Sequence, residues 1–134
     1  MSLRRKSREF ALQMLFEWDM AGQKPAEIKR HFWKSARAAD STRKFANELF
    51  EGAIAEAPGS DKLVEKLSEN WRLERLATVD RNILRLAIFE FRSGTAPAKV
   101  VIDEALELAK KFSSAEAPAF LNGILDAARK KLEA

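Results

Sequence analysis

The chain has no cysteine, no tyrosine and a single histidine among its 134 residues. Each absence removes a class of chemistry. Without cysteine there is no disulfide, no thiolate nucleophile and no cysteine-based zinc site. That composition fits a reducing, cytoplasmic setting. His31 stands among Lys29, Arg30 and Lys34 on the polar side of a short helical pattern. With no second histidine it is a poor metal ligand or triad member, and it reads as a solvated side chain. No G-x-G-x-x-G and no phosphate-binding loop is present. Acids are plentiful, but helical spacing pairs them with bases: Glu107 with Lys110 and Lys111, Asp126 with Arg129 and Lys130. Such pairs mark a solvated face. The expectation is a protein that is not an enzyme and uses no cofactor or metal.

Long hydrophobic runs are also missing. No stretch approaches the ~18 apolar residues of a membrane span. The basic N-terminus is not followed by an uncharged apolar segment, so it does not read as a secretory signal. No membrane partner is expected. The length predicts one domain, residues 1–134, large enough to bury a core without staples.

What is present is a placed charge. The net charge is +4. Residues 1–8 hold Arg4, Arg5, Lys6 and Arg8 and no acid. Taking these from the 24 basic residues leaves 20, matching the 20 acids. The excess therefore reads as a basic N-terminal head, a localised anion-binding feature. Like charges at a helix N-terminus oppose its dipole, so the free head is expected to fray.

Glycine and proline are few, and they punctuate a helical sequence with no period-two alternation. The expected fold is all-α, a compact bundle of about seven helices. They span residues 3–20, 25–36, 41–56, 60–71, 78–92, 97–112 and 118–132. The first buries Phe10, Ala11, Met14, Leu15 and Trp18; the second buries Ile28 and Phe32. Phe45, Leu49 and Ile54 mark the third, and Leu63, Val64 and Leu67 the fourth. The fifth is apolar over more than half its circumference through Val79, Ile83, Leu84, Leu86, Ala87, Ile88 and Phe91, so it is expected to be central and packed from several sides. Asp80 suits its first turn. Glu90 faces the apolar arc and needs a base or donated hydrogen bonds. The sixth buries Val101, Ile102, Ala105, Leu108, Ala109 and Phe112, and the seventh Phe120, Leu121, Ile124, Leu125, Ala128 and Leu132. Gly52 and Gly123, inside helices, suggest close helix–helix approach; the missing side chain of Gly123 would alternatively clear space for a ligand beside Phe120.

A second stripe on the first helix, Leu12, Phe16 and Met20, lies roughly opposite its core face, with Arg5 leading into it. Cations followed by an aromatic ring suit single-stranded RNA, the charges holding phosphates and the ring stacking a base. The same stripe would equally serve a second core layer or a protein interface.

Four blocks carry a resemblance: R-R-K-S-R-E-F-A-L-Q-M-L-F-E-W from Arg4, D-R-N-I-L-R-L-A-I-F-E from Asp80, P-A-K-V-V-I-D-E-A-L-E-L-A-K-K-F from Pro97, and F-L-N-G-I-L-D from Phe120. Together and in this order they resemble the NusB family of bacterial transcription antitermination factors. The resemblance implies two packed three-helix-type subbundles and a non-enzymatic, RNA-binding role. It implies pairing with ribosomal protein S10 (NusE), binding to the boxA element of nascent rRNA transcripts, and entry into an RNA polymerase antitermination complex. By resemblance, Arg4, Arg5, Lys6, Arg8, Phe16 and Phe120 are RNA-binding residues. Asp80 matches an acidic position on the partner-protein side, with Arg81 its neighbour at that end of the helix. Two alternatives remain: a separated helical accessory domain of the kind found in rRNA methyltransferases, and a homodimer closing over the Leu12–Phe16–Met20 stripe.

Overall fold

The computed structural model describes residues 3–68 and 73–133. Among these residues every regular element is helical: α1 (Leu3–Ala21), α2 (Pro25–Ser35), α3 (Asp40–Leu67), α4 (Thr78–Ser93), α5 (Ala98–Phe112) and α6 (Ala117–Glu133), with a short 3-10 turn at Leu73–Arg75. The end predicted for the fourth helix, at Trp71, lies outside the described residues.

Among the described residues six α-helices stand where about seven were expected, because the predicted third and fourth helices are one. Its buried positions are Thr42, Ala46, Leu49, Phe50, Ala53, Ala57, Ser60, Leu63 and Val64. Across Pro58 and Gly59 the stripe Ala53, Ala57, Ser60 and Val64 steps by three or four, so it continues in phase. Proline in a helix interior costs about 3 kcal/mol. Burying Leu63 and Val64 returns roughly 1.5–3 kcal/mol each, which offsets that cost. Pro58 itself faces solvent.

Helices α1, α2 and α3 pack together, α4, α5 and α6 pack together, and α4 lies against α1 and α3 as well. One hydrophobic cluster draws on all six. Of the seven apolar residues expected to be buried on α4, Ile83, Leu84, Leu86, Ala87 and Ile88 are buried, while Val79 and Phe91, near its two ends, are half-buried against the core. Its polar wedge is covered too, since Asn82 and Arg85 are buried. On α2 the second buried residue is Trp33 rather than Phe32. Phe32 is half-buried and meets Phe10 and Trp33 edge-on, with ring centroids 4.9–5.7 Å apart across the trio. The Trp33 Nε1–H donates to Asn47 Oδ1 at 2.8 Å, satisfying the one polar group of a buried indole.

The register of these helices gathers several termini at one end. Ser7 Oγ donates to the Thr42 carbonyl at 2.8 Å, which sets the start of α1 beside the start of α3. Arg8 reaches Glu90, near the end of α4, and Arg5 reaches Glu104 in α5. Gly94 closes α4 in the left-handed conformation, φ +67°, with its N–H on the Glu90 carbonyl at 3.0 Å. A side chain at that φ would be strained. The head is helical from Leu3 rather than frayed. Its tertiary ion pairs outweigh the dipole and self-repulsion terms, which are worth only tenths of a kcal/mol to about 1 kcal/mol each.

The two internal glycines differ. A Cβ on Gly52 would overlap the Phe89 ring, so close approach of α3 and α4 explains it. Gly52→Ala should therefore destabilise the protein by about 1–3 kcal/mol through overpacking, despite alanine's advantage of roughly 1 kcal/mol in helix propensity. Urea denaturation reads this; an unchanged or raised midpoint would contradict the contact. Gly123 is exposed, and a Cβ there would meet nothing within 4 Å. Close approach does not explain it.

Candidate nucleic-acid interface

The basic head is built on the first two turns of α1, and its four cations have different surroundings. Arg4 is exposed; it donates to the Thr95 carbonyl at 3.1 Å and lies over the Phe45 ring at 4.6 Å. Arg5 makes a bidentate pair with Glu104, at 3.0 and 2.7 Å, with its side chain still 39% exposed. Lys6 is exposed, 3.9 Å from Glu9 and above the Phe10 ring. Arg8 is turned inward. It forms a bidentate pair with Glu90 at 2.9 and 2.8 Å, the side chains only 4% and 2% exposed.

That pair supplies the partner the buried Glu90 requires. Thr95 Oγ1 donates a third hydrogen bond to Glu90 at 2.7 Å. Arg8 thus stands in a buried network, out of reach of a phosphate on the surface. Three of the head's four cations face outward.

Beyond the head, Phe16 is 40% exposed and borders a shallow apolar cavity of about 270 Å³ with Leu12, Gln13, Val79 and Phe112. Leu12 belongs to the core, at 3% exposure. The outer stripe is therefore Phe16 and Met20, without Leu12. A helix rises 1.5 Å per residue, so Phe16 lies roughly 18 Å along α1 from Arg4. Between them on the α1–α5 side, Lys111 Nζ meets Glu9 at 2.9 Å.

Asp80 and Arg81 are less open than a contact surface would suggest. Asp80 is buried and accepts a hydrogen bond from Ser113 Oγ at 2.6 Å, which fixes the turn between α5 and α6. Arg81 Nε donates to Asp19 Oδ2 at 2.7 Å. The same carboxylate oxygen accepts from Asn82 at 3.0 Å and Arg85 at 3.0 Å, and Arg85 forms a bidentate pair with Asp61 at 2.8 and 2.9 Å. Phe120, half-buried, lines a cavity of about 250 Å³ with Arg75, Leu76, Asp80 and Glu116. Val79 borders the Phe16 cavity and Asp80 the Phe120 cavity, so consecutive residues at the start of α4 wall the two. The head, Phe16 and Phe120 follow one another along the α1, α5 and α6 side.

Burial raises the Asp19 carboxyl, but hydrogen bonds from Arg81 and Asn82 and the charges of Arg85 and Arg81 hold it below the usual carboxylate range. The Arg5 hydrogen bond holds Glu104 low against the opposing effect of burial, helped by the charges of Arg5 and Arg8. A depressed folded-state pKa gives stability that is fully present above the unfolded value, about 4 for a carboxyl. It is lost as pH falls through the folded value. Acid unfolding should therefore set in below about pH 4, and Asp19→Asn with Glu104→Gln should flatten that limb. An unchanged acid limb in the double variant would contradict these pairs.

Glu104 and Asp19 were not among the residues singled out by sequence, while Phe112 was read only as a core residue and Lys111 only as part of a solvated face. Glu104 follows Arg5 by 99 positions and Asp19 precedes Arg85 by 66. No local spacing signals such pairs. Among the described residues no group of three or more histidines, cysteines or acids is placed to hold a metal. No helix among them is long and apolar enough to cross a membrane.

Comparison with known proteins gives a consistent answer. The NusB family model matches residues 5–130. The transcription antitermination protein NusB of Koribacter versatilis (strain Ellin345) is 47% identical over 133 residues, covering 98% of this chain and 91% of that protein. T. maritima NusB superposes with a TM-score of 0.84 at 28% identity, covering 98% of this chain and 92% of that one. A chain in the crystal structure of the antitermination factors NusB and NusE in complex with dsRNA superposes with a TM-score of 0.86 at 28% identity, covering 98% of both. Fold, sequence and the order of the four motif blocks agree, and this chain belongs to the NusB family.

Proposed function

We infer that this protein is a transcription antitermination factor that binds RNA and performs no catalysis of its own. Its partners are ribosomal protein S10 (NusE) and the boxA element of nascent rRNA transcripts, held as a single strand. With them it joins an RNA polymerase antitermination complex in the cytoplasm. The observation that carries this reading is the cationic head followed along one side of the molecule by two partly exposed aromatic rings, Phe16 and Phe120. Arg4, Arg5 and Lys6 hold phosphates, Arg5 exchanging Glu104 for the ligand. Phe16 and Phe120 stack bases. Arg8 is a positioning residue that fixes the head to α4. Asp80 and Arg81 act on the NusE side by holding the α5–α6 turn and the start of α4 in place.

The test is a fluorescence titration of boxA-like and scrambled RNA, with NusE present and absent. Three phosphate contacts predict a slope of log affinity against log salt of about −2, from roughly −0.7 per phosphate on a single strand. Phe16→Ala should weaken binding by roughly 1–3 kcal/mol with the helical circular dichroism unchanged. No preference for boxA-like RNA with NusE present would overturn the reading. The exposure of Phe16 and Met20, 40% and 62%, favours one other outcome: a homodimer in which that stripe is shared. Sedimentation would show it as a dimer that dissociates when RNA is added.

A further inference from the structure

The neutrality of the chain outside its head conceals a second charge concentration. Residues 24–44 hold seven bases and two acids. This segment is α2, the α2–α3 connection and the first turn of α3. Arg30, Lys34, Arg37, Arg43 and Lys44 are all exposed. Lys29 is committed to Glu51 at 2.7 Å, and Arg43 lies over the Trp33 ring at 5.4 Å. Among the described residues, Arg30, Lys34, Arg37 and Lys44 make no ion pair or hydrogen bond through their side chains.

Position makes the charge informative. Lys34 sits in the last turn of α2, where a cation suits the dipole. Arg43 and Lys44 sit at the opposite kind of terminus, the start of α3, where a cation costs tenths of a kcal/mol or more. Arg4, Arg5 and Lys6 carry the same penalty at the start of α1. The two loaded helix starts are adjacent, joined by the Ser7–Thr42 hydrogen bond. Between them lies an open cavity of about 380 Å³ lined by Arg4, Ser7, Ser41, Thr42, Lys44 and Phe45, with Glu48 at its edge. The start of α3 has no side-chain cap. Thr42 is 3% exposed, and its buried Oγ1 has no hydrogen-bond partner among the described residues. Two cations and an uncapped helix start beside one open cavity suit a phosphate.

We propose that the α2–α3 corner is a second RNA-binding surface, taking the phosphate backbone of the strand that continues past the head. Arg4 belongs to both surfaces, so one strand passes from the head into the cavity at the start of α3 and over Lys44, Arg37 and Lys34. With charge and no free aromatic ring along it, the corner reads backbone and not sequence. The inference rests on the RNA reading of the head and extends its footprint.

The probes are a boxA-like RNA and the same RNA carrying a ten-nucleotide uridine extension on either end. They are titrated against the full chain with NusE, across a fourfold range of salt. An extension should tighten binding to the unaltered protein and steepen its salt slope by about 2, for three further phosphates. Over that salt range this is roughly a 16-fold additional change in affinity. The variant Lys34→Gln/Arg37→Gln/Lys44→Gln, at exposed positions without ion pairs, should bind the unextended RNA as before and lose the gain from the extension. Equal affinity for both RNAs, or a gain that survives the triple substitution, would overturn the proposal. So would anionic vesicles bound through these three residues without any gain from the RNA extension. Failure of the unextended RNA to bind at all would count against the head itself, and the corner would fall with it.

Discussion

Arg8→Ala should destabilise the folded protein by roughly 3–5 kcal/mol, the cost of leaving one member of a buried ion pair without its partner. The carboxylate left behind is Glu90, 2% exposed. Thr95 Oγ1 would remain as a donor, but a hydroxyl does not replace a bidentate guanidinium. Glu104 lies 3.7 Å from Arg8, so the loss would bring two carboxylates into a region short of positive charge. Chemical denaturation measures the effect. The sharper test is the double variant Arg8→Met/Glu90→Leu, in which both charges go together. It should recover much of the loss, because well-packed apolar residues often replace a buried pair at little net cost. If Arg8→Ala costs less than about 1 kcal/mol, the range of an exposed pair, the residue is a surface cation and rejoins the proposed phosphate-binding set.

The second large effect is expected at the other end of α4. Asp19→Ala should cost about 3 kcal/mol, no more than the low end of the range for breaking a buried pair, because Asp19 and Arg81 are partly buried, their side chains 17% and 14% exposed. Asp19 Oδ2 is the shared acceptor for Arg81, Asn82 and Arg85. Its removal leaves Arg81 without its carboxylate, while Arg85 keeps Asp61. That remaining pair is why the cost falls short of the upper range. A double-mutant cycle of Asp19→Ala with Arg85→Met should give a coupling of about 1–3 kcal/mol. Additivity would mean that the two side chains stand apart in solution.

These two networks mark where reading the chain by itself runs out. Helical periodicity located α1, α2, α4, α5 and α6 within a few residues, since burial repeats with the period of the backbone. Glu90 was legible as a carboxylate in need of a donor, because a charge on an apolar arc is a local contradiction. Its donor was not legible. Arg8 sits 82 residues away inside a cluster whose obvious reading was phosphate binding, and charge alone does not separate an inward arginine from an outward one. Asp80 and Arg81 show the same limit. Proline misled at α3, where the local breaker was overridden by a stripe that stays in phase on both sides of it. Leu12 was assigned to the outer stripe because four-residue spacing locates a face without saying what packs on it. The charge of residues 24–44 was there to be counted, and it vanished only because the remaining acids cancel it in a whole-chain sum.

The helical head has a consequence for how fast and how strongly a ligand is held. Fixing the backbone of one residue costs about 1–2 kcal/mol. From Arg4 to Arg8 that cost is met during folding, by the contacts to Thr95, Glu104 and Glu90. If the head binds RNA as proposed, an incoming strand meets a preorganised charge array and does not have to order one. Association should be limited by electrostatic steering. Heat-capacity changes on binding should be small, without the large signature of coupled folding. The buried Arg8–Glu90 pair, which touches no ligand, would in this way set part of the affinity.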